Sequence, residues 1–237
     1  MRFGSFLNTT IEEIKSKRYN IWLGISLGNK SFTKELIKDY LEWSLNFTKE
    51  DVLVVIGDRL YAINLEVLDG YSKLAALRKA LKKGDEKERE IKEILAEIPE
   101  DKARLIKVVR FKHVTASKYQ DYRTELLFSE FKNHSLFHQY VINIIKENKK
   151  IAAKELNEEQ LEKLAEYVLL EIPVYLNGAK YGGLPEHGGK TYLLQIYPGI
   201  GLIDKLLMGL QDGSLFPKLT ERLKITDQIA IVEAYLN

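Results

Sequence analysis

The sequence predicts an α/β fold: a single Rossmann-like domain over residues 1–237, in which helices flank a parallel central sheet. Short runs rich in Val, Ile, Leu and aromatic residues alternate with longer amphipathic stretches, as is typical of parallel strands connected by helices. A length of 237 residues suits one such domain, and the chain contains no internal repeat. Ligands of these folds bind at the carboxyl ends of the strands.

Four apolar segments supply the predicted strands. Ser26 stands at the carboxyl end of the first segment, and Tyr197 stands at the end of the last. Because the carboxyl ends of the strands carry the ligand site in this fold class, both side chains are candidates for that site. The four segments are residues 19–26, 51–58, 103–114 and 190–197.

Four other segments have helical periodicity. Ser31 or Thr33 suits the N-cap of the first, and the second is a long charged segment that Gly84 interrupts. The third contains one or two amphipathic helices, and the fourth begins with a Glu cluster and is disturbed by Pro173 in its last turn. These segments are residues 31–47, 70–97, 117–148 and 157–176.

The composition excludes several classes of function. The chain has no cysteine, which rules out disulfides, thiolate catalysis and zinc sites with Cys ligands. No segment approaches the ~20 apolar residues of a membrane span, and the N-terminus lacks the apolar core of a signal peptide, so a cytoplasmic protein is expected. A formal net charge of +2 leaves room only for a local basic patch.

The pentapeptide Gly24-Ile25-Ser26-Leu27-Gly28 matches the G-x-S-x-G elbow of serine hydrolases. Such an elbow follows several strands and needs a later acid and histidine, whereas Ser26 follows the first predicted strand. His187, in a Gly-rich loop, is the best triad histidine. A serine hydrolase or esterase therefore remains the alternative function, and the two glycines could also simply shape a βα turn.

Two weaker site patterns are also present. Asp69-Gly70 could belong to a Ser-Asp dyad of the patatin kind, but Tyr71 follows where a small residue is needed. His134 and His138 are spaced to share a helix face, yet no third ligand is evident, so no metal site is predicted.

A tyrosine and a glutamate lie four residues apart on the last predicted helix, Tyr167 and Glu171. This spacing places the phenol and the carboxylate on one helix face, among apolar neighbours. A carboxylate in apolar surroundings is costly unless a cation or a hydrogen bond compensates it. It either reaches solvent at the edge of the face or binds a cationic group of a ligand.

Three motifs in this order resemble the cyclodipeptide synthase family over roughly residues 19–200. They are G-x-S-x-x-N after the first strand, Tyr-x-x-x-Glu before an apolar residue and Pro, and a Tyr-Pro pair that closes a late strand. The last places the chain closer to the Tyr-Pro branch than to the Tyr-His branch. The matching residues are Gly24, Ser26, Asn29, Tyr167, Glu171, Ile172, Pro173, Tyr197 and Pro198.

The resemblance implies an aminoacyltransferase that makes a cyclic dipeptide, a 2,5-diketopiperazine, from two aminoacyl-tRNAs. It implies a fold similar to the catalytic domains of class I tyrosyl- and tryptophanyl-tRNA synthetases. Neither ATP nor a cofactor or metal is expected, because the aminoacyl ester is already activated. Ser26 would carry first the aminoacyl and then the dipeptidyl group. A monomer is expected rather than an obligate oligomer.

The resemblance also implies roles for the other motif residues. Glu171 and Tyr167 would hold the α-ammonium group, Tyr167 would relay a proton, and Gly24 would let the ester approach closely. Asn29 and Tyr197 would orient the intermediate. Asn29 is more usual in the Tyr-His branch, and Tyr192 is the alternative to Tyr197.

The segment from residue 73 carries five basic residues before its first acid, Asp85. On a helix most of them cluster, with Leu74, Leu77 and Leu81 expected to face inward. A solvated face is the ordinary explanation, but in the family that the chain resembles a basic helix in this region holds tRNA. The basic residues are Lys73, Arg78, Lys79, Lys82 and Lys83.

Four residues are expected to line the first aminoacyl pocket. They lie near the motif residues on the predicted strands and the last helix, and their side chains suit a pocket of modest size. They are Trp22, Val54, Val174 and Gln195.

Overall fold

The computed structural model describes residues 1–115, 118–176, 178–181 and 189–236, except the side chains at 115, 118–121, 149 and 150. Six of the strands in this part of the chain form one sheet in the order β1-β8-β7-β2-β3-β4, and two form a separate small sheet. The strands are β1 (Arg2–Leu7), β2 (Ile21–Ile25), β3 (Val52–Ile56), β4 (Ile106–Arg110), β5 (Ala179–Tyr181), β6 (Lys190–Tyr192), β7 (Leu194–Tyr197) and β8 (Ala230–Tyr235).

The helices cover both faces of the large sheet. They are α1 (Ile11–Lys15), α2 (Lys34–Phe47), α3 (Asp58–Leu68), α4 (Lys73–Ala96), α5 (Glu100–Ala103), α6 (Phe111–Thr115), α7 (Lys118–Asn133), α8 (Ser135–Lys146), α9 (Lys149–Ala152), α10 (Glu158–Tyr175), α11 (Leu202–Gln211) and α12 (Pro217–Leu223). No helix in the described ranges is both long and apolar enough to cross a membrane.

The centre of the sheet is parallel and buried on both faces. β3 pairs in parallel with β2 and β4, and all five of its residues are buried. Successive strand residues point to opposite faces, so Leu53 and Val55 join one hydrophobic core while Val54 joins the other. The predicted α/β class is confirmed, and the continuous apolar run of β3 is the pattern expected for such a strand.

The sequence analysis missed both strands at one edge of the sheet. β8 pairs in parallel with β7, and β1 pairs antiparallel with β8, so the sheet is mostly rather than wholly parallel. β1 is half-exposed along its length, and its register shifts between Phe3 and Phe6. Edge strands carry a weak hydrophobic signal because only part of each strand is buried.

Two of the predicted strands are shorter than expected. In the segment 103–114 the strand β4 ends at Arg110, and Phe111 begins the helix α6. The segment 190–197 divides into β6, which pairs with β5, and β7, which pairs with β2. In both segments, residues of high strand propensity continue past the end of the ladder, and tertiary pairing decides where the strand ends.

The charged helix differs from its prediction in two ways. α4 is continuous through Gly84, and the buried residues of its first half are small: Ala76, Ala80 and Gly84. Leu74 and Leu81, expected to face inward, are 57% and 36% exposed. The buried residues Ala76 and Ala80 instead pack beside Leu65 of α3. Small residues allow two helix backbones to approach closely, which the apolar periodicity did not indicate.

The other helical segments are also defined more sharply by the structure. The segment 117–148 contains two long helices, and His134 is the N-cap of α8, where its Nδ1 accepts a hydrogen bond from the Phe137 N–H at 3.4 Å. α10 begins with an Asn157 capping box and continues through Pro173 to Tyr175. The predicted disturbance at Pro173 therefore does not end the helix.

Candidate active site

The serine turn lies at the carboxyl end of β2. Ser26 directly follows the strand, and the Asn29 N–H donates to the Ser26 carbonyl at 3.1 Å, which closes a tight turn. The Asn29 side chain accepts a hydrogen bond from the Ser31 N–H at 3.0 Å. Parallel neighbours on both sides of β2 place this turn in the middle of the sheet edge, where ligands of α/β folds bind.

A narrow cavity of about 30 Å³ opens beside the serine turn. Strands β2, β3 and β7 and the helices α3, α6 and α10 contribute to its wall. Its described lining contains a single carboxylate and no histidine. The lining residues are Trp22, Gly24, Ile25, Ser26, Val55, Gly57, Leu60, Phe111, Tyr167, Glu171, Val174, Tyr175 and Tyr197.

Three residues at successive turns of α10 face this cavity: Tyr167, Glu171 and Tyr175. The Tyr175 hydroxyl donates to Glu171 Oε1 at 3.4 Å and accepts a hydrogen bond from Gln195 Nε2 at 3.1 Å. Tyr175 also packs edge-on against Trp22, with 5.0 Å between the ring centroids. A helix from late in the chain therefore presents its polar stripe to the turn that follows β2.

Ser26 contacts tyrosines from two different elements. Its side chain lies close enough to the phenols of Tyr167 of α10 and Tyr197 at the end of β7 to lower the pKa of both, and the Asn29 side chain acts on Tyr197 in the same way. The ring of Tyr197 packs edge-on against Phe32 at 5.4 Å between centroids. The structure thus brings together the motif residues of three distant segments of the chain.

Gly24 provides space below the serine. A Cβ atom at this position would lie 3.1 Å from Gln195 Nε2 and 3.3 Å from Trp22 Cζ3. Trp22 and Gln195 are both buried and are register partners on β2 and β7. The glycine therefore allows two large neighbouring side chains to pack against the strand.

Burial raises the pKa of the Glu171 carboxyl to about 8, and the negative charge of Asp204 adds to the effect. The hydrogen bond from Tyr175 opposes this shift, because it stabilises the carboxylate. The pKa of Asp204 is itself raised to about 6, mainly by burial, although its Oδ2 accepts a hydrogen bond from the Gly201 N–H at 2.6 Å. With this pKa Glu171 is mostly protonated at pH 7, and a cationic ligand group would favour its ionised form.

The phenols of the cavity remain protonated at neutral pH. Burial raises the pKa of Tyr197 to about 12, with the charge of Glu171 as the next cause. Burial, followed by the charge of Glu171, also raises the pKa of Tyr167 and of Tyr175 well above its ordinary value. These tyrosines can hold or relay a proton as neutral hydroxyls, but none is a ready phenolate base.

Sequence reasoning missed Tyr175 and Asp204. Tyr175 continues the four-residue spacing of Tyr167 and Glu171, and this spacing could have identified it. Asp204 lies in the first turn of α11 and approaches Glu171 only through the tertiary fold. No local signal distinguishes it from an ordinary acid near a helix N-terminus.

The four expected pocket residues divide among three locations. Trp22 and Val174 line the cavity, and Gln195 borders it through its hydrogen bond to Tyr175. The expectation for Val54 is wrong: it packs on the opposite face of the sheet, and its neighbour Val55 lines the cavity. The strand alternates its side chains, so an error of one residue changes the face.

The alternative tyrosine and the histidines lie elsewhere. Tyr192 is in β6, and its buried phenol faces Asp51 rather than the cavity. His113 Nδ1 accepts from the Arg110 N–H at 3.3 Å, and His138 stacks on Phe131 with 4.4 Å between centroids. His187 lies outside the described residues. Within the described residues, no group of three or more His, Asp and Glu side chains could hold a metal ion.

The five basic residues of α4, called here the basic face, remain available to an anion. Lys73, Arg78, Lys79 and Lys82 are exposed, whereas Lys83 is half-buried. None of the five takes part in an ion pair with another described residue.

Two lysines of the basic face contact tyrosines instead of acids. The Lys79 ammonium donates to the Tyr71 hydroxyl and lies 4.1 Å from the ring centroid. The Lys83 ammonium donates to the Tyr61 hydroxyl at 3.0 Å and lies 4.8 Å from its ring centroid. A tyrosine leaves the lysine's charge unneutralised, so both ammonium groups can still attract phosphate.

Comparison with solved structures finds the same fold in proteins of low sequence identity. A cyclodipeptide synthase from Staphylococcus haemolyticus has a TM-score of 0.74 at 18% identity, with all of both chains covered. One from Mycobacterium tuberculosis, described as demonstrating a relation to type I tRNA synthetases, has a TM-score of 0.65 at 19% identity over 82% of this chain and 80% of that chain.

A third structure is a cyclodipeptide synthase from Candidatus Glomeribacter gigasporarum bound to Phe-tRNAPhe. It has a TM-score of 0.58 at 15% identity over 95% of this chain and 91% of that chain. No curated protein matches the sequence. The family model for cyclodipeptide synthases matches residues 6–187, which is most of the chain. This chain therefore belongs to the cyclodipeptide synthase family.

Proposed function

We propose that this chain, as one catalytic unit, joins the aminoacyl groups of two aminoacyl-tRNAs into a cyclic dipeptide through covalent intermediates on Ser26. The proposal rests on one observation: Ser26, Tyr167 and Tyr197 converge around a cavity, and Glu171 is the one carboxylate in its described lining. A relative of the same fold binds Phe-tRNAPhe, which supports aminoacyl-tRNA as the substrate. We place the reaction in the cytoplasm, where aminoacyl-tRNA is made, and expect a monomer.

In the first step the Ser26 hydroxyl attacks the carbonyl carbon of the aminoacyl ester. A new ester forms to Ser26 Oγ, the bond to the ribose oxygen breaks, and the serine proton reaches the leaving ribose hydroxyl. The phenols of Tyr167 and Tyr197 both lie beside Ser26, and a neutral phenol can pass this proton on. An activated ester needs no strong base, which suits a cavity whose described lining lacks histidine.

In the second step the amine of the bound aminoacyl group attacks the ester of a second aminoacyl-tRNA. One amide forms, the second tRNA leaves, and a dipeptide remains on Ser26. The free amine of this dipeptide then attacks the Ser26 ester, which forms the second amide and restores the hydroxyl. Two esters are thus exchanged for two amides, and no ATP is consumed.

Glu171 is proposed to bind the α-ammonium group of the first aminoacyl residue. A raised pKa of about 8 means that the Glu171 carboxyl holds a proton at neutral pH, and an arriving ammonium group favours the carboxylate instead. The same carboxylate can then accept the proton that the amine must lose before it attacks. Tyr167 lies one turn earlier on α10 and is the proposed relay for the cyclisation proton.

The remaining assignments follow from the geometry at the turn. Gly24 leaves the strand free of a Cβ atom beneath the reacting ester, and backbone N–H groups near Ser26 are proposed to stabilise the oxyanion. Asn29 and Tyr197 are proposed to orient the intermediate, since the Asn29 side chain lies close enough to the Tyr197 phenol to lower its pKa. The basic face of α4 is proposed to bind tRNA phosphates.

The function is tested by expressing the chain in a bacterium and analysing the medium by mass spectrometry for diketopiperazines. A cyclic dipeptide that disappears with Ser26→Ala is the expected result. Purified protein incubated with labelled aminoacyl-tRNA should gain the mass of one aminoacyl group on Ser26. Folded wild-type protein that yields neither product nor acyl-enzyme would contradict the proposal.

The competing hydrolase predicts a different dependence on residues. With His187→Ala, cyclic dipeptide formation should persist, whereas Glu171→Gln should abolish it. Ester hydrolysis that depends on His187 and does not need Glu171 would instead identify a serine hydrolase on the same turn.

A further inference from the structure

We propose that Arg110 is a positioning residue that seats helix α4 on the catalytic edge of the sheet, so that Lys83 holds a tRNA phosphate beside the Ser26 turn. Arg110 is not among the residues that line the cavity, and it belongs to none of the sequence motifs. The inference rests on the proposed function, because the anion it concerns is the phosphate of aminoacyl-tRNA.

The Arg110 guanidinium joins three elements at the end of β4. Its Nη2 lies 2.8 Å from Asp58 Oδ2, at the first residue of α3, and its Nη1 lies 2.7 Å from Asp85 Oδ1 on α4. Nη2 also donates to the Leu81 carbonyl of α4 at 2.9 Å, and Glu88 lies 3.4 Å from Nη1. The Arg110 side chain is 11% exposed and that of Asp58 is 2% exposed, so the contact is largely shielded from solvent.

The Arg110 guanidinium packs directly against Gly84. A Cβ atom at Gly84 would lie 2.0 Å from Arg110 Nη2 and 2.5 Å from Cζ. The glycine costs the helix roughly 1 kcal/mol of propensity relative to alanine. Its presence at this buried position therefore has a packing reason: only a residue without a side chain lets α4 rest directly on Arg110.

The contact between Arg110 and Gly84 is coupled to the catalytic turn through Lys83, the residue before Gly84. Lys83 precedes Gly84, and its ammonium group donates to the Tyr61 hydroxyl at 3.0 Å. The Tyr61 ring in turn lies against Gly28, where a Cβ atom would be 3.3 Å from Cε2. Gly28 is two residues after Ser26, so a fixed path of contacts links the guanidinium, the lysine and the nucleophile's turn.

The same guanidinium also offsets part of the competing charge. Asp85 and Glu88 follow Lys83 on α4, and free carboxylates there would repel a phosphate bound to the lysine. Arg110 pairs with both acids, whereas the basic face has no acid partner among the described residues. The basic face therefore keeps its attraction for phosphate although acids occupy the next turn of the helix.

Gly84→Ala tests the packing of Arg110 against α4 with little risk to the helix, because alanine is the better helix former. Leu74→Ala, at an exposed position on the same helix, is the matched control, because like Gly84→Ala it leaves the charge of α4 unchanged. A second variant, Asp58→Asn with Arg110→Met, removes the buried ion pair without leaving a buried charge unpaired. Each protein is compared with the wild type for folding by circular dichroism and thermal unfolding.

The first readout is structural and does not depend on catalysis. In a crystal structure of Gly84→Ala, the Lys83 ammonium should no longer lie within hydrogen-bond distance of the Tyr61 hydroxyl. A structure in which both the Arg110 contacts and the Lys83–Tyr61 contact persist overturns the inference, whatever the chain's activity.

The second readout separates tRNA positioning from chemistry. With Gly84→Ala and with the double variant, KM for aminoacyl-tRNA should rise about tenfold, while acylation of Ser26 by a small activated aminoacyl ester stays within about twofold. Binding of uncharged tRNA should weaken, and its salt slope should fall by about one. The control Leu74→Ala should leave all three unchanged.

Equal loss with both acyl donors would mean that Arg110 supports the catalytic turn itself, and this would overturn the inference. Unchanged KM and unchanged tRNA binding would overturn it as well. Failure of the wild type to use aminoacyl-tRNA at all would contradict the proposed function instead. The crystal structure of the Gly84→Ala variant would still show whether Arg110 positions α4 and Lys83.

Discussion

Tyr175 donates a hydrogen bond to Glu171 across one turn of α10, with 3.4 Å between the phenol oxygen and Oε1. Gln195 orients this phenol by donating to it at 3.1 Å. Burial raises the pKa of Glu171, and the hydrogen bond from Tyr175 lowers it. Tyr175 therefore adjusts the acidity of the proposed ammonium site, although its hydroxyl bonds Glu171 and Gln195 rather than Ser26. Predictions for the site follow from this opposition.

Tyr175→Phe should move the pH dependence of acylation upward. If the productive form needs ionised Glu171, kcat/KM for aminoacyl-tRNA rises through the carboxyl pKa of about 8. Loss of the donated hydrogen bond destabilises the carboxylate and should shift this profile by about one pH unit to higher pH. The pH–rate profile of Ser26 acylation checks the prediction, and an unshifted profile would contradict it.

Glu171→Gln should abolish product formation yet stabilise the folded chain at alkaline pH. The unfolded carboxyl loses its proton near 4.5 and the folded one near 8, so the wild type loses stability as pH rises between these values. Glutamine removes this loss and should add up to about 4 kcal/mol to the free energy of unfolding at pH 8.

Urea unfolding of both proteins at pH 4 and pH 8 measures the effect of Glu171→Gln. The difference between variant and wild type should be small at pH 4 and favour the variant at pH 8. The opposite trend with pH would show that the Glu171 carboxyl is ionised in the folded, empty site.

Gly24→Ala should slow acylation without unfolding the chain. The added methyl group would lie 3.1 Å from Gln195 Nε2 and 3.3 Å from Trp22 Cζ3, and both of these side chains are buried. Overpacking of this size costs about 1–2 kcal/mol of stability, and the displaced neighbours should reduce kcat/KM about tenfold. Single-turnover acylation and thermal unfolding test this, and wild-type kinetics would show that the neighbours give way freely.

Reversal of Lys79, Lys82 and Lys83 to Glu should weaken tRNA binding and its dependence on salt. Each lost phosphate contact reduces the salt slope by about one, so a fall of about two to three is expected. Filter binding over a range of salt concentrations provides the measurement, and Ser26 acylation by a small ester should be retained.

Three exposed lysines away from α4 supply the matched control: reversal of Lys15, Lys132 and Lys218 changes the net charge equally. An equal loss of tRNA binding in this control would assign the effect to overall charge rather than to the basic face.

The sequence pattern predicted a feature correctly where that feature depends on the residues of one strand or helix alone. The apolar run of β3 and the face shared by Tyr167 and Glu171 both follow from strand or helix periodicity. The pattern predicted wrongly where contact with a neighbouring element decides which residues are buried. α4 buries alanines and Gly84 while Leu74 stays exposed, because the close approach of α3 and of Arg110 selects small residues.

By itself the sequence determined the family motifs, the class of fold and the polar stripe of α10, since these depend on residue types at short spacings. Only the tertiary structure decided that Ser26, Tyr197 and Glu171 share one cavity, and that Asp204 raises the pKa of Glu171. The physical reason is that parallel strands end at one edge of a sheet. Segments that are more than a hundred residues apart therefore meet there through sheet order, which no local spacing specifies.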